Sequence, residues 1–100
     1  MGNIKADQKK LAWHLMPPDA LEEIVKVMQH GAEKYEPRDW ETGTNWHRYF
    51  SAAMRHLWAW WKGEDVDASG YSHLAHAAAS VLILLTYELR KVGTDDRPGK

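Results

Sequence analysis

The sequence contains no cysteine, which excludes disulfide bonds and thiolate metal sites and favours a reducing compartment. It also has no large excess of one charge: 13 lysines and arginines oppose 14 aspartates and glutamates, for a formal net charge of −1. No run of lysines or arginines forms a basic field, so a long nucleic acid is not an expected partner. A small anionic ligand that carries its own cation needs no such field.

Long apolar runs are also missing. The longest, from Leu74 to Tyr87, is shorter than the roughly 20 residues that a membrane span needs, and His76 interrupts it. The first residues, Met1 to Lys5, lack the apolar core of a signal peptide. We therefore expect a cytoplasmic protein without a membrane partner, folded as a single domain over residues 1–100.

Helix-period patterns predict three main helices and no strand, so the expected fold class is all-α. The first helix spans about 19–35, with Asp19 as its N-cap and Glu22 completing a capping box. Pro37 ends it, because proline lacks the amide hydrogen that a helix interior requires. A polar loop over 36–44 follows.

The second and third helices have wider apolar faces than the first. The second begins near Thr44 or Asn45 and ends at Gly63, which acts as a C-cap. The third runs from about Ser72 to Lys91. Both are apolar enough to be central to the domain.

The third helix is apolar around most of its circumference, and two neighbouring helices cannot cover all of it. Its apolar residues include Leu74, Ala77, Ala78, Val81, Leu82, Ile83, Leu84 and Leu85. Exposed aliphatic surface is unfavourable, so we expect subunits to pack together as a homodimer or homotetramer. Residues 1–16 are interpreted as an arm that packs late or on a partner subunit, and residues 93–100 as a loose tail.

A cluster of acids and histidines precedes and begins the third helix. Its members are Glu64, Asp65 and Asp67 in a glycine-bounded turn, and His73 and His76 on one helical face. Oxygen ligands beside imidazoles suit a divalent metal that holds a phosphate chain. The alternative for the acids is structural, since carboxylates before a helix N-terminus gain about 0.3–1 kcal/mol from the macrodipole. The two histidines favour the metal or phosphate site.

Arg55 and His56 lie mid-helix on an otherwise apolar element. Burying a guanidinium without a partner is costly, so Arg55 should pair with Glu64, with Asp67 or with a ligand phosphate. His56 is at least as readily a structural residue as a ligand contact.

A second group of candidates surrounds the end of the first helix. Lys34, Arg38 and Trp40 could hold a phosphate and stack on a base. The alternative is that Lys34 complements the helix C-terminus and that Trp40 covers the core.

Several blocks, in this order and spacing, resemble a known family. They are Gly31 to Tyr35, Trp40, Ala53 to Trp60, Gly63 to Asp67, Gly70, and His73 to Ala77. Together they resemble the N-terminal domain of phage-type dATP/dGTP diphosphohydrolases, within the all-α MazG-type nucleoside triphosphate pyrophosphohydrolases. The resemblance covers about residues 10–88. It implies a MazG-like bundle that uses Mg²⁺ or Mn²⁺ to release pyrophosphate from a deoxypurine nucleoside triphosphate, in the host cytoplasm if a phage encodes it.

Three sets of residues then have expected roles. The metal ligands are Glu64, Asp67, His73 and His76. The catalytic residues are Lys34, Arg55 and Asp65, the two cations neutralising phosphate charge and Asp65 serving as base or reserve ligand. The substrate-binding residues are Lys34, Arg38, Trp40, Arg55 and His56, with Trp40 stacked on the base.

Relatives often carry a further acid between the positions of Asp67 and Gly70, where this chain has Ala68 and Ser69. This departure keeps a second function open, a non-catalytic protein that sequesters a nucleotide or a nucleotide-derived signal. A third is an interaction module whose acids and histidines are merely solvated; it would show no ligand-dependent rise in melting temperature.

Overall fold

The computed structural model describes residues 10–100. Over that range the chain forms three α-helices, α1 (Pro18–Lys34), α2 (Trp46–Trp61) and α3 (His73–Arg90), and no strand beyond two isolated bridges. The all-α prediction is therefore confirmed for the described residues. No helix among them is long and apolar enough to cross a membrane.

The core lies where α3 packs against α2 and, less extensively, against α1. Small side chains let the helices approach closely, and α3 supplies most of the buried positions. These are His73, Ala75, Ala77, Ala79, Ser80, Ile83 and Tyr87. α1 adds Val27 and α2 adds Ala53. The third helix is thus the central element, and its first turn places two histidines at the edge of the core.

Capping residues determine where α2 ends and α3 begins. Lys62, and not Gly63, occupies the C-cap position of α2; Gly63 follows it with a φ of 104°, and the Gly63 amide donates to the Trp60 carbonyl at 2.9 Å. The Ser72 hydroxyl accepts a hydrogen bond from the Ala75 amide at 3.2 Å, which makes Ser72 the N-cap of α3. The predicted bounds of these helices agree with the observed ones to within two residues.

The predicted N-cap of α1 was wrong. Pro17 occupies the N-cap position and α1 begins at Pro18, which puts Asp19 inside the first turn. Its carboxylate accepts a hydrogen bond from the next amide, that of Ala20, at 3.0 Å, and no capping box with Glu22 forms. A proline in the first turn has its φ preset for the helix and needs no donor there, so the helix starts earlier than a polar cap suggests.

Residues 92–97 lie against the start of α2. The Trp46 indole donates to the Val92 carbonyl at 2.9 Å, and the Trp46 amide donates to the Thr94 carbonyl at 3.0 Å. The Thr94 amide donates in turn to the Thr44 carbonyl, and the guanidinium of Arg97 lies 5.2 Å from the centroid of the Trp46 ring. The prediction of a loose tail over 93–100 did not anticipate these contacts.

Much apolar surface remains exposed on the single chain. On α3, Val81 and Leu85 are each about half exposed, at 53% and 52%, and on α2 Trp61 is 72% exposed. Residues 1–9 of the predicted arm lie outside the described residues. The rest of the arm includes one short 3-10 turn (Trp13–Leu15) and exposes its apolar side chains.

Candidate functional site

The site forms where the turn between α2 and α3 folds back on both helices. Backbone hydrogen bonds close this turn: the His73 amide donates to the Asp65 carbonyl at 3.0 Å, and the Asp67 amide donates to the Tyr71 carbonyl at 2.8 Å. The Asp67 carboxylate accepts a further hydrogen bond from the Ser69 amide at 2.9 Å, an Asx turn. These contacts hold the Asp67 side chain towards the histidines.

Three histidines from two helices meet at this turn. His56 comes from α2, and its Nδ1 lies 2.9 Å from Nδ1 of His73, a residue that is only 5% exposed. The rings of His56 and His76 stack with their centroids 4.5 Å apart and an angle of 8° between their planes. The Nε2 atom of His73 is buried and has no hydrogen-bond partner among the described residues, although Glu64 Oε1 lies 3.3 Å away.

Asp67 lies beside the stacked rings of His56 and His76 and faces one nitrogen of each. Its Oδ1 is 3.9 Å from His56 Nδ1, and its Oδ2 is 3.7 Å from His76 Nε2. The Ser69 hydroxyl hydrogen-bonds to the same His76 Nε2 at 2.9 Å. In a serine hydrolase triad the carboxylate holds the imidazole nitrogen opposite the serine, whereas here both face Nε2. The arrangement therefore does not form a serine nucleophile of that kind.

The charge states of these residues follow from their surroundings. Burial, helped by the neighbouring histidines, lowers the pKa of His56, and burial also lowers the pKa of His76 despite the opposing influence of Asp67. Both rings are therefore mainly neutral near pH 7. The hydrogen bond from the Ser69 amide lowers the pKa of the Asp67 carboxyl, so this group is ionised.

A cleft of about 530 Å³ opens between the C-terminal half of α1 and this cluster. Its polar lining comes from His30, Lys34, His56, Asp67, Ser69 and His76. Val27 and Tyr35 add apolar surface, and the Lys34 ammonium lies 5.3 Å from the centroid of the Tyr35 ring. The cleft thus joins one lysine, three imidazoles and one carboxylate to an apolar wall.

Comparison with known proteins identifies the family of this chain. Residues 2–97 match the family described as dATP/dGTP diphosphohydrolase, N-terminal. The chain belongs to this family. A protein of Salmonella phage PMBT28 named dATP/dGTP diphosphohydrolase is 33% identical over 98 residues, which are 97% of this chain and 33% of that relative. The chain therefore spans about one third of the relative's length, and no solved structure matches it.

The structure brings together most of the residues that the diphosphohydrolase resemblance singled out near the turn. Lys34, His56, Asp67 and His76 line the cleft, and His73 lies behind His56. Glu64 is exposed and contacts His73 from the side that faces away from His56 Nδ1. Of the predicted ligands, Glu64 therefore meets Nε2 of His73, whereas Nδ1 of the same ring faces His56, which was predicted as a substrate-binding residue.

Asp65 and Arg55 lie apart from the cleft lining. Both are exposed, and the part of Asp65 in contact with the site is its carbonyl, which accepts from the His73 amide. The expected ion pair of Arg55 with Glu64 or Asp67 does not form among the described residues, and the burial on which that expectation depended is absent, because Arg55 is exposed on α2. A solvated guanidinium needs no partner.

Arg38 and Trp40 also lie away from the cleft lining. Arg38 pairs with Glu41 at 2.6 Å, and the Trp40 carbonyl accepts from the Tyr87 hydroxyl while the two rings lie 6.3 Å apart. Tyr87 is eleven residues beyond His76, roughly 16 Å along α3. These contacts match the alternative in which Trp40 covers the core, and the roles of Arg38 and Trp40 in substrate binding stay predictions.

Sequence reasoning missed His30, Ser69 and Tyr71. His30 lies four residues before Lys34, which puts both on one face of α1, so helical spacing could have found it. The Tyr71 ring contacts both His30, at 5.3 Å between centroids, and His76, at 6.5 Å. Ser69 could have been found from its position two residues after Asp67, the spacing of an Asx turn.

The donor atoms can be compared with the cation that the family implies. One donor atom each from His56, Asp67 and His73 lies within 4.8 Å of the other two. Mg²⁺ demands oxygen ligands in a near-octahedral arrangement, whereas two of these three donors are imidazole nitrogens. The side-chain set at this point therefore does not fit Mg²⁺ as a resident ion.

Proposed function

We propose that the cleft binds a purine nucleoside triphosphate, ribo or deoxy, and that this domain takes part in its hydrolysis to the monophosphate and pyrophosphate. The observation that carries the proposal is the convergence of Lys34, Asp67 and the neutral rings of His56 and His76 on one cleft. The volume of about 530 Å³ lies within the range of small-molecule sites. Membership of the diphosphohydrolase family and the name of the phage relative support the same reaction class.

In this proposal the tasks are divided among six of the cleft residues. Lys34 contacts the phosphate oxygens and offsets their charge, while Val27 and Tyr35 contact the base. His76 is neutral: its Nε2–H donates to the Ser69 hydroxyl, which orients the ring, and its Nδ1 accepts a proton from the attacking water. The water oxygen bonds to the α-phosphorus as the bond to the bridging oxygen breaks, and pyrophosphate leaves. Asp67 stabilises the imidazolium that forms.

The predicted need for Mg²⁺ or Mn²⁺ enters the proposal through the substrate, because nucleoside triphosphates carry a divalent cation on their phosphate oxygens. The proposed site of action is the cytoplasm, where such nucleotides are present. The predicted catalytic or binding roles of Arg55, Asp65, Arg38 and Trp40 are not needed for the steps above.

The test is direct. The purified chain is incubated with each of the eight common ribo- and deoxyribonucleoside triphosphates at millimolar Mg²⁺ or Mn²⁺, and monophosphate is measured by chromatography. We expect monophosphate from at least one purine substrate, and loss of this product in His76→Asn. The control His14→Asn replaces an exposed histidine outside the cleft lining. No monophosphate from any substrate would refute the enzymatic proposal.

The second candidate function is binding without hydrolysis. It is favoured by Ala68, which lines the cleft at the place where relatives often carry an acid. Mass spectrometry after incubation separates the two functions, since an intact, tightly bound nucleotide supports the binding protein and a cleaved one supports the enzyme. If no nucleotide raises the melting temperature, both functions fail and the interaction module remains.

We also propose that the chain assembles into a closed homodimer or homotetramer. The support is the exposed apolar surface of α3, where Leu74 and Leu82 are each 41% exposed in addition to Val81 and Leu85. Helices that leave such a face uncovered are commonly completed by a symmetry-related copy.

A further inference from the structure

The structure assigns to His56, His73 and Asp67 a site for a later first-row transition cation, of the class of Co²⁺, Ni²⁺ or Zn²⁺, rather than for Mg²⁺. This inference does not rest on the proposed hydrolysis, because it concerns cation binding by the free protein. It also differs from the ligand set expected from the sequence, since His56 enters the set and Glu64 and His76 leave it.

The donor atoms of His56, His73 and Asp67 lie close to one another. Nδ1 of His56 and Nδ1 of His73 are 2.9 Å apart, and Oδ1 of Asp67 is 3.9 Å from Nδ1 of His56. Ligand atoms at 2.0–2.1 Å from one tetrahedral or octahedral cation lie roughly 2.9–3.4 Å from each other. The two imidazole nitrogens are therefore at this spacing, whereas the Asp67 oxygen lies beyond it and reaches it by rotation of the Asp67 side chain towards the histidines.

The second nitrogen of the His73 ring, Nε2, faces a carboxylate. This nitrogen is buried and lacks a hydrogen-bond partner among the described residues, yet it lies 3.3 Å from Glu64 Oε1. A histidine that ligates a cation through one nitrogen usually directs the other N–H at a carboxylate, which fixes the tautomer and orients the ring. Ligation through Nδ1 puts the proton of His73 on Nε2, and the Nε2–H can then donate a hydrogen bond to the Glu64 carboxylate. Glu64 then acts as the orienting carboxylate and not as a ligand.

The orientation of its ring keeps His76 out of the ligand set. Its ring is parallel to that of His56, with centroids 4.5 Å apart. The lone pair of an imidazole nitrogen lies in the ring plane, so a cation in the plane of His56 lies out of the plane of His76. His76 instead keeps its hydrogen bond to Ser69.

The types of donor atom determine which cation the site prefers. Two nitrogen donors and one carboxylate favour the later first-row ions in the order of their general affinity for such ligands, whereas Mg²⁺ releases its water reluctantly and prefers oxygen. Within residues 10–100 three side chains converge, and two of them line the cleft, so we expect the remaining coordination positions to face the cleft. A site of this kind is open to an oxygen ligand from solvent or from a bound phosphate.

The experiment measures cation binding without any nucleotide. Protein freed of metal with a chelator and then desalted is titrated with Co²⁺, Zn²⁺ or Mg²⁺ alone by calorimetry, and the visible absorption of Co²⁺ is followed in parallel. We expect one Co²⁺ or Zn²⁺ per chain, bound about 100-fold or more tightly than Mg²⁺. Equal affinity for Mg²⁺, or no Co²⁺ binding, would overturn the inference.

Variants identify the ligands. His56→Ala and Asp67→Asn should each weaken Co²⁺ binding and change its absorption spectrum, and Glu64→Gln should weaken it by about 10- to 100-fold with little spectral change. The control His14→Ala should bind like the unmodified chain. Circular dichroism of the metal-free variants shows that each is folded, and Glu64→Gln alters only an exposed side chain. Unchanged affinity in the folded variants of His56 and Asp67 would contradict the proposed ligands, and unchanged affinity in Glu64→Gln would contradict its orienting role.

Discussion

The imidazole ring of His56 on α2 lies parallel to that of His76 on α3, and both rings face other titratable groups. His73 and Asp67 lie beside the pair, Arg55 influences His56 from its own helix, and His30 influences His76 from α1. Two imidazole rings in this contact cannot both be positively charged without strong repulsion. Their neutral forms are therefore part of the folded state.

The first prediction is a loss of stability in mild acid. The pKa of His56 and of His76 is lowered on folding, so the unfolded chain binds more protons once the pH falls below about 6.5, the ordinary histidine value. The free energy of unfolding should be constant above that pH and decrease from about pH 6.5 towards pH 5. Asp67 has a lowered pKa and contributes only where acid protonates it, below about pH 4. Urea unfolding across this range measures the effect.

The matched variant for this prediction is His76→Asn, which keeps a polar partner for Ser69 but cannot titrate. Its stability should depend less on pH between about 5 and 7 than that of the unmodified chain. Parallel pH curves for the two proteins would show that the stacked pair does not cause the effect.

The second prediction concerns Asp67. Asp67→Asn keeps an oxygen for the hydrogen bond from the Ser69 amide but removes the charge, so we expect activity to fall by about 100-fold or more. Stability should change by no more than about 1 kcal/mol. Asp67→Ala is a less specific test, because this half-buried carboxylate holds the turn as well as facing the cleft. Full activity in a folded Asp67→Asn would contradict the role of Asp67 and would make the acids of α1 the next candidates, which are Glu22, Glu23 and Glu33.

The third prediction is a gain of function. Ala68 lines the cleft next to Asp67, and a carboxylate there adds an oxygen donor. Ala68→Glu should raise Mg²⁺-supported hydrolysis by about tenfold, which corresponds to ~1.4 kcal/mol. The control Ala20→Glu adds the same charge at an exposed position of α1 and should leave the rate unchanged. A rate in Ala68→Glu that equals that of the control would indicate that the missing acid does not limit the chemistry.

The fourth prediction tests the contact between residues 92–97 and α2. Gly93 has a φ of 79°, and an added Cβ would clash with the Thr44 carbonyl oxygen and lie 3.1 Å from the Trp46 indole nitrogen. Gly93→Ala should therefore destabilise the fold by about 2 kcal/mol or more. Gly99→Ala, where an added Cβ meets nothing within 4 Å, is the matched control. Equal unfolding midpoints in chemical denaturation would show that this contact contributes little.

The fifth prediction concerns assembly. Light scattering at micromolar concentration should give a mass of two or four chains of 11.5 kDa. Leu85→Asp places a charge on the exposed apolar face of α3 and should shift the mass to one chain, whereas Gln29→Asp on the solvent side of α1 should not. A monodisperse monomer of the unmodified chain would refute the proposal.

The sequence predicted the helices well because their ends depend on local signals. Ser72 caps α3 and Gly63 directly follows the C-cap of α2, both with hydrogen bonds within four residues, and such short-range chemistry can be recognised along the chain. The start of α1 was predicted wrongly because a proline at the first position competes with the cap signal of Asp19. The contact of Val92 with Trp46 spans 46 residues and leaves no periodic pattern.

The candidate site was predicted in part. Asp67, His73 and His76 share one turn and one helical face, so their proximity follows from local geometry. His56 belongs to another helix, and only the packing of α2 on α3 shows which of its neighbours it meets. Burial also depends on packing, and for that reason the sequence could not show that Arg55 is solvated.

The short distance between His56 and His73 has a mechanical consequence. A ligand held by both rings ties α2 to α3 across a sequence separation of 17 residues, as a covalent cross-link would. Closing a loop of that size restricts the unfolded chain, and for a disulfide the corresponding stabilisation is about 3 kcal/mol. This chain has no cysteine with which to form such a link. A ligand bound by the imidazoles of His56 and His73 would cross-link the two helices reversibly, forming the link on binding and breaking it on dissociation.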